Sequence, residues 1–230
     1  MSEVAGDWEM TVLSRQDDEP DLGSASVFPD RTMEMLVIPI TSPRGVTLGS
    51  ALTRKPDLVE AIRLVPGIGA VRLSPLGGTV GPGGENWLGL TFLARLPNPC
   101  PRPLDQLMSG VTEFLRGRFG PGGLGLKQGR IEGAWCPGFS DLSVEGRKLV
   151  GLGFKLTRDT AVVRAIIGVR MPGQDELRAL DACHLVFGPG LDPSRLGWLA
   201  DVMGPPELDQ VGAVRLILDP QIPRPEKICA

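Results

Sequence analysis

The chain has 230 residues, 42% hydrophobic and 22% charged, with a net charge of −3. It is long enough to bury a sizeable core, too apolar for a disordered polymer, and without the basic excess of a nucleic-acid binder. Its 31 glycines and 22 prolines follow no Gly-X-Y period and no Ser/Gln tract, so collagen and linker readings are excluded and these residues belong to turns of a compact fold.

Residues 14–32 are polar, acidic and Pro-containing, which predicts that 1–32 is a mobile N-terminal segment or long surface loop and 33–230 a single domain. Residues 35–40 (MLVIPI) and 45–50 (GVTLGS) have strand composition between Pro and Gly. A short helix is expected over 56–64, where Leu58, Ala61, Ile62 and Val65 share a face. Residues 67–74 are expected to form a strand and 75–86 (PLGGTVGPGGEN) a loop, followed by a strand buried on both faces over 87–96. The clearest helix is 103–118, with Leu104, Leu107, Met108, Val111, Phe114 and Leu115 in one stripe, ended by the Gly-Pro-Gly-Gly turn at 120–123.

Strands are then expected at 125–130, 142–144, 148–156 and 162–169, with a tight hairpin at Glu145-Gly146. Helices are expected over 173–188, with Leu177, Leu180, His184 and Phe187 on one side, and over 192–204, with Asp192 as N-cap and Pro193 at the first position. The tally predicts an α+β fold, a mixed and largely antiparallel sheet flanked by helices.

His184 is the sole histidine, which excludes His-rich metal centres, and on the apolar stripe it reads as a satisfied core or edge residue. Cys100, Cys136, Cys183 and Cys229 contain no C-x-x-C pair, so neither a zinc site nor a disulfide framework is expected. The first residues lack the apolar core of a secretory signal, and no apolar run approaches the roughly 18 residues needed to cross a bilayer. A cytoplasmic, thiol-reduced setting is expected, with no metal and neither nucleic acid nor membrane as partner.

Two segments carry chemistry. The first is R-L-S-P-L-G-G-T-V-G-P-G-G-E-N-W at 72–87, the second G-A-W-C-P-G-F-S-D-L-S-V-E-G-R-K-L-V-G at 133–151. In order and spacing they resemble the lipoate–protein ligases and lipoyl-pathway octanoyltransferases, relatives of the biotin protein ligases. That family has a strand ending in Arg-Arg, a Gly-Gly-Gly-Thr-like turn, an Asn before the next strand, and a Gly-Arg/Lys-Lys-hydrophobic-Ala-Gly hairpin. The resemblance runs over about 46–169 and implies a biotin/lipoate ligase-like fold.

Carried onto this chain, it implies that Lys148 holds the acyl carbonyl, or in ligases the acyl-adenylate, by a charge-assisted hydrogen bond. Arg72, Gly77, Gly78, Thr79, Asn86, Asp141 and Gly151 become candidate substrate-binding residues. Cys136, in a Cys-Pro-Gly ahead of Asp-Leu-Ser, resembles the acyl-thioester cysteine of the amidotransfer-type octanoyltransferases. Its place twelve residues before Lys148, across a hairpin, would bring thiol and ammonium together and favour the thiolate.

The chain departs from the family pattern at Leu73 for the second arginine, at Leu76 for the first glycine, at Phe154 for a glutamine, and in lacking a His-Gly step over 161–169. Loss of fixed charge and open backbone weakens phosphate binding more than acyl binding. The leading expectation is therefore an acyltransferase that moves an octanoyl or lipoyl group to a lysine of a lipoyl-bearing protein domain through Cys136. Acyl carrier protein is a further implied partner, and no cofactor is required. Alternatives are an ATP- and Mg-dependent lipoate–protein ligase acting through Lys148, and a non-catalytic binding or assembly protein.

Overall fold

The computed structural model describes residues 9–12, 34–40, 42–95, 103–119, 125–157, 160–203 and 207–218. In chain order the elements are β1 (Glu9–Val12), β2 (Glu34–Ile40), β3 (Gly45–Leu48), α1 (Ser50–Thr53), α2 (Pro56–Arg63), β4 (Ala70–Leu73), β5 (Val80–Gly83) and β6 (Trp87–Arg95). They continue with α3 (Pro103–Arg118), β7 (Lys127–Gln128), β8 (Leu142–Val144), β9 (Arg147–Leu156), β10 (Thr160–Gly168), α4 (Gln174–Leu185), α5 (Leu199–Met203) and α6 (Gln210–Leu218). The expected α+β class with a largely antiparallel sheet is what the chain adopts.

The larger sheet runs β1-β2-β6-β10-β9-β8-β7, antiparallel except at β1 and β2. The smaller runs β4-β3-β5. Period-two alternation along β10 divides the core. Val163, Ala165 and Ile167 face α3 and α6, where they meet Leu107, Val111, Leu115, Ala213 and Ile217. Ile166 points to the opposite face, which the smaller sheet, α2 and α4 cover, together with Trp87, Trp135 and Trp198. The three tryptophans pack edge to face, with ring centroids 5.8 Å apart for Trp87 and Trp135 and 5.1 Å for Trp87 and Trp198.

The hairpin at Glu145-Gly146 forms as expected, because both residues take positive φ (50° and 76°), the requirement of a type I′ turn whose twist matches the strands. Other expectations are corrected. Within the stretch expected as a loop, Val80–Gly83 is a fully buried edge strand antiparallel to β3; an edge tolerates the missing N–H of Pro82. The helix expected over 192–204 is divided into a 3-10 turn at Pro193–Arg195 and α5. The break lies where the Gly197 N–H bonds the Lys148 carbonyl at 2.8 Å and Leu196 bridges β9. Asp192 caps the turn as expected, its side chain accepting from the Ser194 N–H. The strand expected at 125–130 is only β7, and α1 and α6 were not anticipated. Four residues of the stretch 1–32 form β1; the rest, the turn at 120–123, Gly204, Cys100 and Cys229 lie outside the described residues.

Phe92, fully buried on β6 and edge-on to Phe114 of α3 (5.7 Å), joins the sheet to its helical layer. Phe92→Ala is expected to lower the unfolding free energy by roughly 3–5 kcal/mol in urea titrations. Phe139→Ala, at an 80% exposed position, should change it by less than about 0.5 kcal/mol.

Candidate functional site

β9 supplies the centre. From Lys148 to Val150 it spends two residues against one step of β8, from Ser143 to Leu142, which is a β-bulge. The bulge breaks the alternation, so Lys148 and Gly151 come to one side: a Cβ on Gly151 would lie 2.9 Å from the Lys148 Cε and 2.2 Å from the Trp135 ring. A glycine is needed there because the Trp135 ring occupies the side-chain space.

The Lys148 ammonium is fully buried. It is 2.8 Å from Asp141 Oδ2 and donates to the carbonyls of Trp135 (2.6 Å) and Cys136 (2.9 Å). It also sits 3.9 Å from the Trp135 ring centroid, a cation–π contact. Asp141 in turn accepts from the Gly138 N–H at 2.7 Å. Burial pushes the Lys148 pKa below the usual lysine value, opposed by Asp141 and then Cys136. Burial likewise raises Asp141, opposed by Lys148. One ammonium thus ties both ends of the loop 135–141 to β9.

That loop presents Cys136 in the left-handed region, at φ 42°, where a non-glycine residue is held only by its surroundings. Its Sγ accepts a hydrogen bond from the Thr79 N–H at 3.1 Å. Two cavities meet at this thiol. One is narrow, about 50 Å³, apolar along Leu76, Val80, Trp135 and Ile166, and reached also by Lys148. The other is a wide cleft of about 710 Å³ bounded by Met108, Phe139, Phe154, His184 and Phe187. Cys136, Gly78, Thr79 and Leu152 line both.

Of the residues singled out from sequence, the structure brings together Cys136, Lys148, Asp141, Gly77, Gly78, Thr79 and Gly151. Gly77 is clasped to β9, its N–H donating to the Phe154 carbonyl at 2.8 Å, and Gly78 (φ 100°) faces the thiol. Arg72 and Asn86 lie elsewhere. Arg72 donates to Thr47 Oγ1 and the Pro43 carbonyl. Asn86 bridges Glu176 and Arg170. Neither lines the two cavities at Cys136.

His184 was expected to be satisfied. It is buried against Phe187 (5.0 Å), but among the described residues its Nε2 has no hydrogen-bond partner. Burial pushes its pKa down to about 4, the Lys148 charge adding and Asp181 opposing. The neighbouring Cys183 is a buried thiol pushed up to about 12 by burial. Trp135, Leu152 and Ile166 line the site without having been singled out; an apolar residue facing a cavity has the same sequence signal as one facing the core. Among the described residues no group of His, Cys, Asp or Glu could hold a metal ion, and no helix is long and apolar enough to cross a membrane.

No family model matches the chain. A curated relative, the octanoyl-[GcvH]:protein N-octanoyltransferase of an Exiguobacterium species, is 28% identical over 131 residues, which are 56% of this chain and 45% of the relative. The chain thus matches less than half the length of that relative. The solved structure of lipoate-protein ligase A bound with ATP superposes with a TM-score of 0.56 at 14% identity, over 80% of this chain and 70% of that one. A T. acidophilum protein assigned as a lipoate protein ligase, with lipoic acid bound, superposes with a TM-score of 0.51 at 13% identity, over 73% of this chain and 64% of that one. The chain has the fold of the lipoate-protein ligases, and the resemblance drawn from its two motifs is to the same family as these similar proteins.

Two measurements follow from the buried groups. Lys148→Met leaves the Asp141 carboxylate without its counter-charge and the carbonyls of Trp135 and Cys136 without their donor, and is expected to cost roughly 3–5 kcal/mol of unfolding free energy, part of it recovered in the Lys148→Met/Asp141→Leu double variant. For His184, the unfolded chain takes up a proton below about pH 6.5 that the folded protein refuses until about pH 4. Stability should therefore fall as pH falls through that window, by on the order of 3 kcal/mol in full, and urea unfolding of His184→Gln should show a flatter dependence.

Proposed function

We propose that this protein is an acyltransferase of lipoyl metabolism, moving an octanoyl or lipoyl group to a lysine of a lipoyl-bearing protein domain through a thioester on Cys136. The observation that carries this reading is the position of the thiol. A strained cysteine stands where a narrow apolar cavity meets a wide open cleft, with a backbone N–H on its sulfur. The narrow cavity offers an acyl chain apolar walls from the thiol inward, and the wide cleft has room for the extended lysine arm of a carrier domain.

The Cys136 sulfur attacks the acyl carbon of the donor. An S–C bond forms as the bond from that carbon to the donor's nitrogen or sulfur breaks, and the leaving group takes a proton. The acceptor lysine amine then attacks the thioester carbon, forms the amide and releases the thiol. The Thr79 N–H bonds the sulfur and orients it toward the acyl carbon. Lys148 is a positioning residue in this scheme. Its donors are directed at Asp141 and the carbonyls of Trp135 and Cys136, so it fixes the loop and sets a positive charge near the sulfur. The curated relative's name, which joins an octanoylated carrier to a protein acceptor, supports the same substrate class.

Intact-mass spectrometry after incubation with an octanoylated carrier, without ATP, tests the reading. Wild type should gain the mass of one octanoyl group and Cys136→Ser none. Absence of an adduct on wild type overturns the covalent route, and acyl-adenylate formation that survives Cys136→Ala would replace it with ligase chemistry.

A further inference from the structure

We infer that Ile166 is the end wall of the acyl cavity and sets the length of chain the protein accepts, an inference that rests on the acyltransfer reading of the same cavity. In the larger sheet Ile166 of β10 pairs with Gly151 of β9 on one side and Gly89 of β6 on the other. It therefore stands as a single large side chain between two positions that carry none. Gly151 lines the narrow cavity at Cys136; Gly89 lines a second, smaller cavity of about 20 Å³ on the far side. The residues common to both are Thr47, Arg164 and Ile166, and Ile166 is the apolar one. Its terminal methyl closes the gap to the smaller sheet: a Cβ built on Gly81 would lie only 2.3 Å from Ile166 Cδ1.

The direction of an acyl chain follows from β5. Thr79 holds the sulfur, and Val80 and Gly81 line the same cavity beyond it. Two strand residues advance about 7 Å, so a chain leaving the thiol along this wall arrives at the Gly81–Ile166 contact. Beyond the side chain of Ile166 the second cavity has Ile40, Pro82 and Trp87 on one part of its wall, where further methylenes could lie, and Ser42, Thr47 and Arg164 on the rest. Shortening Ile166 joins the two spaces.

Ile166→Ala and wild type are each offered equimolar octanoyl and decanoyl carrier, and the two adducts on Cys136 are read by intact mass. The decanoyl-to-octanoyl ratio is expected to rise about tenfold in Ile166→Ala, the discrimination an apolar pocket achieves for a small change in chain length. Ile166→Val, which removes one methyl, should move it in the same direction by less, and serves if the alanine variant does not fold. Adducts formed at an unchanged ratio overturn the role of Ile166 while leaving the acyltransfer reading intact. If wild type forms no adduct, that reading fails instead. The length preference is then read from the thermal shift given by octanoate and decanoate, where an unchanged preference in both variants overturns the inference as well.

Discussion

The Lys148 ammonium is held out of water, and the shape of the site depends on how that charge is satisfied. Removing an ammonium and a carboxylate from solvent costs several kcal/mol per ion, which their mutual attraction alone does not reliably offset. Here two backbone carbonyls and the face of Trp135 add to Asp141, so each ammonium proton has an acceptor. The net gain in stability from such an arrangement is small. Its consequence is geometric: two carbonyls of the loop 135–141 and a carboxylate at the loop's end all point at one atom of β9. Cys136 is thereby kept in a backbone conformation that costs about 1–2 kcal/mol and that a free loop would leave.

Around that anchor β9 meets the loop before β5 through backbone: a Cβ on Gly153 would lie 2.8 Å from the Gly77 carbonyl. Within the smaller sheet the ends of β3 and β5 are as close, since a Cβ on Gly49 would lie 2.5 Å from the Gly78 carbonyl. These contacts let the strand pair of the smaller sheet lie close against β9, which narrows the space beside the thiol to an apolar slot. The bulge on β9 and the break before α5 belong to the same construction. The first turns Lys148 toward Trp135, and the second brings Gly197 onto the Lys148 carbonyl. The glycine and proline content noted at the outset therefore serves packing at the site as much as turns.

Much of this architecture was legible. The apolar stripe of α3, the doubly buried β6 and the Glu145-Gly146 turn follow from periodicity and from the steric demand for positive φ. The motifs also marked the loop of Cys136 and the hairpin of Lys148. Less legible were elements whose pairing is non-local. β5, with its Val-Gly-Pro-Gly sequence, has turn composition, and only β3 alongside makes it a strand. The helical signals over 192–204 are correct locally, yet a hydrogen bond to Lys148 interrupts them. Arg72 and Asn86 sit within motif segments but line neither cavity, Arg72 standing behind Thr47 of the wall, since adjacency in sequence does not fix which face of a strand end a side chain takes.

By itself the sequence determined the class of fold, the positions of most elements and the segments in which chemistry concentrates, because hydrophobic period, turn sterics and motif order are properties of neighbouring residues. Only the tertiary structure decided what those segments do to one another. It assigned the three donors of Lys148 to Asp141 and two carbonyls and gave the Cys136 sulfur an N–H from Thr79, 57 residues away. It also set Ile166 between Gly89 and Gly151. Each of these depends on a long-range register, where one residue of slip would turn every side chain to the opposite face.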